Sequence, residues 1–117
     1  MPTSTSSATD AATVSAVEVL QMATLDGARA LGLERDTGSI ESGKWADLAC
    51  VDLRRCNSQP VYDPVSQLVY TANASQVTDV WVAGRQQLDN GQLSSINVDN
   101  ILSRTSEWRD RISKETK

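Results

Sequence analysis

The 117-residue chain contains no histidine and no phenylalanine. Histidine is the usual general base near neutral pH and the commonest metal ligand. Its absence removes Ser–His and Cys–His nucleophiles, and any histidine-held metal, from what these residues can build. Without phenylalanine, and with apolar residues at 39%, a dense self-sufficient core is not assured. Globular domains run at about 45–50%, on a count that also includes glycine. The two cysteines, Cys50 and Cys56, are too few for a disulfide framework and are not spaced as a zinc knuckle. They point to a reducing, cytoplasmic compartment. Cys50 lies in an apolar run and reads as a small buried hydrophobe. No apolar run approaches the roughly 20 residues of a membrane span. Residues 1–13 have neither the basic nor the apolar region of a secretory signal. Arg54-Arg55 is the only adjacent basic pair in a chain of net charge −4, which argues against a nucleic-acid surface.

What is present is a run of local folding signals. Residues 1–14 are rich in Ser, Thr and Ala without periodicity, and read as a flexible leader. Residues 15–36 read as helical. Ser15 and Glu18 form a capping box, and a helix is expected from about Ala16 to Ala23 with Val19, Leu20 and Ala23 on one stripe. Thr24 is expected to cap a second short helix, LDGARAL. Gly32 suits its left-handed end, with Leu33 folding back. Gly27 inside it marks a close approach of neighbouring backbone.

Residues 37–96 read as sheet with an inserted helix. Gly38 and Gly43 flank a turn before a strand, Leu48 to Val51. That strand lacks alternation, the pattern of a strand covered on both faces. A polar loop follows from Arg54 to Gln59. Asp63-Pro64 starts a helix over 64–72, with Asn73 as its end. Val77 to Val82 is a strand, Ala83-Gly84-Arg85 a tight turn, and Gln86 to Leu88 a short returning strand closed by Asp89-Asn90-Gly91. Asn97 caps a final helix over 97–117, with Val98, Ile101, Leu102, Trp108 and Ile112 as its apolar stripe. The class is α+β, and with so few strands at least one sheet edge is expected to be open.

The candidate chemistry is thin. Glu41, Asp47 and Asp52 are a possible carboxylate cluster, but Glu41 sits on a turn and the two aspartates bracket a strand. Gly38 to Lys44 imitates a phosphate-binding loop, yet Trp45 stands where the metal-ligating hydroxyl belongs, and the loop precedes a strand instead of following one. Ser66 has no base beside it in sequence, and nothing near Cys50 would lower its pKa. Tyr62, Tyr70, Trp45 and Trp81 read as core or interface anchors. No catalytic, metal or cofactor-binding residue is assigned.

Four stretches taken in order carry a resemblance: LQMATLDGARALGL (Leu20–Leu33), GSIESGKWADLACVDL (Gly38–Leu53), PVYDPVSQLVYTA (Pro60–Ala72) and VTDVWVAGR (Val77–Arg85). Together they resemble the C-terminal part of the amidohydrolase superfamily. The likeness is greatest to the aminohydrolase branch that holds methylthioadenosine/S-adenosylhomocysteine deaminases and triazine chlorohydrolase-like enzymes. The resemblance implies a TIM barrel carrying a divalent metal, zinc, on four histidines and an aspartate, beside a small β-sandwich built from both chain ends. Ala16 to Leu33 would match the last barrel helix and its follower. Leu48–Val51 and Val77–Leu88 would match sandwich strands. A barrel takes about 200 residues or more, so the expectation is a C-terminal portion of such an enzyme. It would be structural, without cofactor and inactive alone, and its partner would be the missing N-terminal barrel or a second copy of itself. Two rival readings are a standalone self-associating interaction module and one subunit of a split enzyme. None of the three involves nucleic acid or membrane.

Overall fold

Ser15 opens the first helix as its neighbours dictate. Its backbone N–H donates to Glu18 Oε2 at 2.8 Å, and the Glu18 N–H donates to Ser15 Oγ at 3.2 Å. The computed structural model describes residues 14–116; all of the expected leader but Val14, and Lys117, lie outside them. From Ser15 the chain runs through α1 (Ala16–Gln21), a π-helical turn (Met22–Asp26) and α2 (Gly27–Ala30).

These are one helix, not two. Gln21 and Gly27 both keep right-handed helical dihedrals. Thr24 does not cap a second helix, because its hydroxyl is taken by the Leu20 carbonyl at 2.7 Å, and the wider π turn carries the backbone past it. The helix does end as expected. Gly32 has φ +72°, the Gly32 N–H donates to the Arg29 carbonyl and the Leu33 N–H to the Ala28 carbonyl, a Schellman closure. The close backbone approach lies at Gly38, not Gly27. A Cβ on Gly38 would stand 2.8 Å from Ala28 Cβ and 3.0 Å from Leu25 Cα, whereas one on Gly27 would meet only the Met22 carbonyl at 3.4 Å. The turn after the helix is thereby seated directly on it.

Four antiparallel strands follow in the order β1-β2-β3-β4: β1 (Leu48–Val51), β2 (Val77–Val82), β3 (Arg85–Asp89) and β4 (Gln92–Leu93). Leu48 pairs with Trp81, Cys50 with Asp79, Val80 with Leu88 and Leu88 with Leu93. Both hairpin turns place two residues at positive φ, Ala83-Gly84 (50° and 78°) and Asn90-Gly91 (46° and 82°). That twist matches the flanking strands. β4, two residues long, carries too little periodicity to be foreseen.

Between β1 and β2 lie a 3₁₀ turn (Cys56–Ser58), α3 (Pro64–Tyr70) and a second 3₁₀ turn (Ala74–Gln76). Asp63 caps α3 by accepting from the Val65 N–H, and α3 packs against α1. The helix stops at Tyr70, two residues before the expected limit. Asn73 is not its end but the cap of the next turn, accepting from the Ser75 N–H at 3.0 Å. The last helix, α4 (Val98–Glu115), is capped by Asn97, whose Oδ1 accepts from the Asn100 N–H.

The burial pattern is unusual for a chain this long. Ala28 is the only buried apolar residue among the described residues, while Ser58 and Gln76 are wholly buried. Cys50, expected to be buried, is exposed, as is Ala49 beside it. The strand has the composition of a covered strand, but nothing in the described chain covers these two positions. Every described residue of α4 is exposed. The radius of gyration is 20.8 Å, against about 13 Å for a compact domain of this length.

Candidate functional site

The three carboxylates singled out from the sequence are each bound to a local structural partner. Asp47 Oδ1 accepts from the Ala83 N–H at 2.7 Å, tying the β2–β3 turn to the entry of β1. Asp52 holds Arg54 through both carboxylate oxygens, at 2.9 and 3.0 Å. That guanidinium, with the Arg54 N–H, brings the Asp52 pKa down to about 2. Glu41 is held below the usual carboxylate range by the Ser39 hydroxyl and then by Lys44. No three of the Cys, Asp or Glu side chains come together as a metal would need, among the described residues.

The Gly38–Lys44 loop closes on itself. Lys44 Nζ donates to Ser39 Oγ at 2.6 Å and to the Thr37 carbonyl at 3.3 Å, and lies 3.1 Å from Glu41. Its side chain is only 11% exposed. A lysine committed to its own loop is not presented to a phosphate. Ser66 Oγ donates to Asp63 Oδ2 at 2.8 Å, reinforcing the α3 cap. Tyr62, Tyr70 and Trp45 stand exposed, Tyr62 at 90%; they are not core residues of this chain. Trp81 is half-buried.

Sequence reasoning missed the most organised cluster. The Gln76 amide donates to the Asp52 carbonyl at 2.8 Å and to Ser58 Oγ at 2.9 Å. Its Oε1 accepts from Asn57 Nδ2 at 2.7 Å and from the Asn73 N–H at 3.0 Å. One side chain thus joins the exit of β1, the first 3₁₀ turn and the entry of β2. The signal was present in part: Asn73-x-x-Gln76 is a capping-box spacing. This cluster holds a loop, and it has no titratable or nucleophilic group to offer a substrate. Among the described residues, no helix is long and apolar enough to cross a membrane.

Comparison with known proteins shows where this arrangement recurs. Residues 1–86 match the Amidohydrolase family. A 5-methylthioadenosine/S-adenosylhomocysteine deaminase of Teredinibacter turnerae is 42% identical over 103 residues, which are 88% of this chain and 23% of that protein. The deaminase of the same name from Aquifex aeolicus is 33% identical over 103 residues, 88% of this chain and 24% of that one. Among solved structures, an adenosine deaminase from Xanthomonas campestris with bound zinc superposes with a TM-score of 0.82 at 46% identity, over 92% of this chain and 24% of its own. The atrazine chlorohydrolase from Arthrobacter aurescens complexed with zinc gives 0.71 at 32% identity, over 80% and 20%. The chain therefore spans under a quarter of the length of these relatives. Zinc accompanies both solved structures, but the donors on this chain do not fit a resident metal. It has no histidine, and its candidate carboxylates are held apart by their own partners.

Proposed function

The chain belongs to the amidohydrolase family, and from that premise we propose that it is the C-terminal structural segment of a metal-dependent aminohydrolase. The longer protein would hydrolyse a non-peptide C–N bond and release ammonia. Its metal ligands would lie outside this chain, and no catalytic step is assigned to the residues described above. The helix α1–α2 and its seated turn would close the barrel's final element, and β1 to β4 would complete the small sandwich. The observation that carries this reading is the mismatch between order and burial. Caps, turns and strand register are fully specified, yet among the described residues a single apolar side chain is buried. Elements so well defined and so little covered are built to be completed by further chain. The compartment we assign is the cytoplasm, on the two unpaired cysteines.

Two measurements test the reading. The purified chain, supplied with zinc, should release no ammonia from adenosine, 5-methylthioadenosine or S-adenosylhomocysteine; deamination above blank would overturn the structural role. An antibody against this segment should detect a polypeptide several times larger than 12.7 kDa in source cells. A band at 12.7 kDa would instead favour a standalone module, or a subunit whose histidine-rich partner co-purifies with zinc. The open outer edge of β1, which has no strand beside it among the described residues, is the observation that favours those alternatives.

A further inference from the structure

The chain has five asparagines, Asn57, Asn73, Asn90, Asn97 and Asn100, and of these Asn90 alone is followed by glycine. That neighbour decides what the side chain can undergo. The backbone nitrogen after an asparagine can reach its side-chain carbonyl, and only glycine adds no side chain to obstruct the approach. The other four are otherwise engaged or are followed by bulk. Asn57 Nδ2 donates to the Thr71 carbonyl and to Gln76 Oε1. Asn73 and Asn97 accept cap hydrogen bonds through Oδ1. Asn100 precedes Ile101 within α4. Asn90 and Gly91 are both exposed, at the turn between β3 and β4, and the space beside the Gly91 Cα is open.

The fold sets a latch on this chemistry. In the closed hairpin the Gly91 N–H donates to the Thr78 carbonyl at 2.8 Å, and the Asn90 N–H donates to Asp79 Oδ1 at 3.2 Å. While the first bond stands, the Gly91 nitrogen keeps its proton and its place against β2. The latch is slight. β4 pairs with β3 only through Asp89–Gln92 and Leu88–Leu93, followed by the Ser94 N–H on the Gln87 carbonyl at 2.9 Å. An arm this short opens locally without unfolding the rest of the sheet. We propose that Asn90–Gly91 is a site of spontaneous deamidation, gated by opening of the β3–β4 turn. In the opened turn the Gly91 nitrogen gives its proton to hydroxide and bonds to Asn90 Cγ. The Cγ–NH2 bond then breaks, and ammonia leaves with a proton taken from water. A second water opens the five-membered imide. Cleavage at Cγ leaves an aspartate in place of Asn90. Cleavage at the main-chain carbonyl leaves isoaspartate, with the backbone rerouted through the side-chain methylene. Isoaspartate adds an atom to a two-residue turn, so the β4 pairing loses its register. Both products add a negative charge close to Asp79 and Asp89. The site needs only the turn and water, and stands apart from the function proposed above.

The test incubates the full 117-residue chain beside a peptide of residues Gln87 to Ser94, in water enriched in heavy oxygen, with peptide mapping by mass spectrometry. Asn90 should convert before the other four asparagines, and faster at mildly alkaline than at neutral pH. Each event should take up one heavy oxygen, and isoaspartate should form as well as aspartate. The folded chain should convert about three- to tenfold more slowly than the peptide, the protection that one net hydrogen bond supplies. Ser94→Pro removes the N–H bonded to the Gln87 carbonyl and leaves Asn90–Gly91 intact, so its rate should approach that of the peptide. Earlier conversion at another asparagine would overturn the assignment, as would conversion that yields no isoaspartate. Equal rates in chain and peptide, or a Ser94→Pro chain no faster than the parent, would overturn the gate.

Discussion

Replacing Gln76 tests the most tightly specified part of the molecule. Gln76→Leu keeps the approximate volume and removes all four hydrogen bonds of the amide. Asn57 Nδ2 keeps a second acceptor, the Thr71 carbonyl at 3.0 Å. The Asn73 N–H, the Asp52 carbonyl and the wholly buried Ser58 hydroxyl each lose the Gln76 contact. Each buried group left unpaired costs about 1–3 kcal/mol, and the leucine recovers about 1–2 kcal/mol by apolar burial. At about 1.4 kcal/mol for each of the three groups, toward the low end of that range, the net loss is about 2–3 kcal/mol, localised to residues 52–76. Amide hydrogen exchange reads this without requiring two-state unfolding. The Asn73 amide, which donates to Gln76 Oε1, should exchange about 30- to 100-fold faster in the variant.

Gln76→Glu sharpens the test by making it depend on pH. One oxygen can still accept from Asn57 and the Asn73 N–H. The other now faces the Asp52 carbonyl, where the amide donated. An ionised carboxylate is repelled there and is buried as well, so its folded pKa must rise above the unfolded value of about 4.3. A group raised in this way carries no penalty below its unfolded pKa. The penalty grows as pH rises through that value and is complete above the folded pKa. The variant should therefore approach the parent near pH 4, where the protonated carboxyl can donate to Asp52, and fall below it at pH 7. Unchanged exchange at Asn73 in the leucine variant, or a glutamate variant equally stable at both pH values, would refute the burial and orientation assigned to this side chain.

Other substitutions separate strain from packing. Gly38→Ala should cost about 2–4 kcal/mol, since a positive φ and a 2.8 Å contact with Ala28 act together. Gly43→Ala has a similar φ and open space around it, and should cost about 1–2 kcal/mol; urea titrations giving equal losses would deny the seating of the turn on the helix. Asp52, with a folded pKa of about 2 against 3.8 in the unfolded chain, should support the fold fully above about pH 4 and lose that support as pH falls toward 2. A carboxyl titration midpoint near 4 by NMR would contradict its pairing with Arg54. Ser15→Ala should cost about 1 kcal/mol and fray α1, read by loss of amide protection at Glu18.

The division between what was legible and what was not follows the reach of each interaction. The Ser15–Glu18 box, the Gly32 closure and the Asp63-Pro64 start each complete their hydrogen bonds within a few residues, so residue type and spacing suffice. Thr24 was misread because a hydroxyl can satisfy itself on the preceding turn as well as cap the next one. The choice depended on whether the helix could absorb a π turn there, which no spacing rule announces. Gln76 was missed because its partners at Asp52 and Asn57–Ser58 lie 18 to 24 residues away. Only the folded path through α3 brings them together. Cys50 is the most instructive error. The apolar run from Leu48 to Val51 correctly specifies a strand that wants cover on both faces, and its pairing with β2 is in place, yet Ala49 and Cys50 stand open. A sequence encodes the burial its residues require, not the identity of the chain that provides it. The same logic governs α4, whose apolar stripe is left uncovered by the described residues. Two elements, β1 and α4, therefore make the same demand, one on its faces and one along its length. It is this repeated demand that most supports the proposed reading of the chain as a segment of a longer protein.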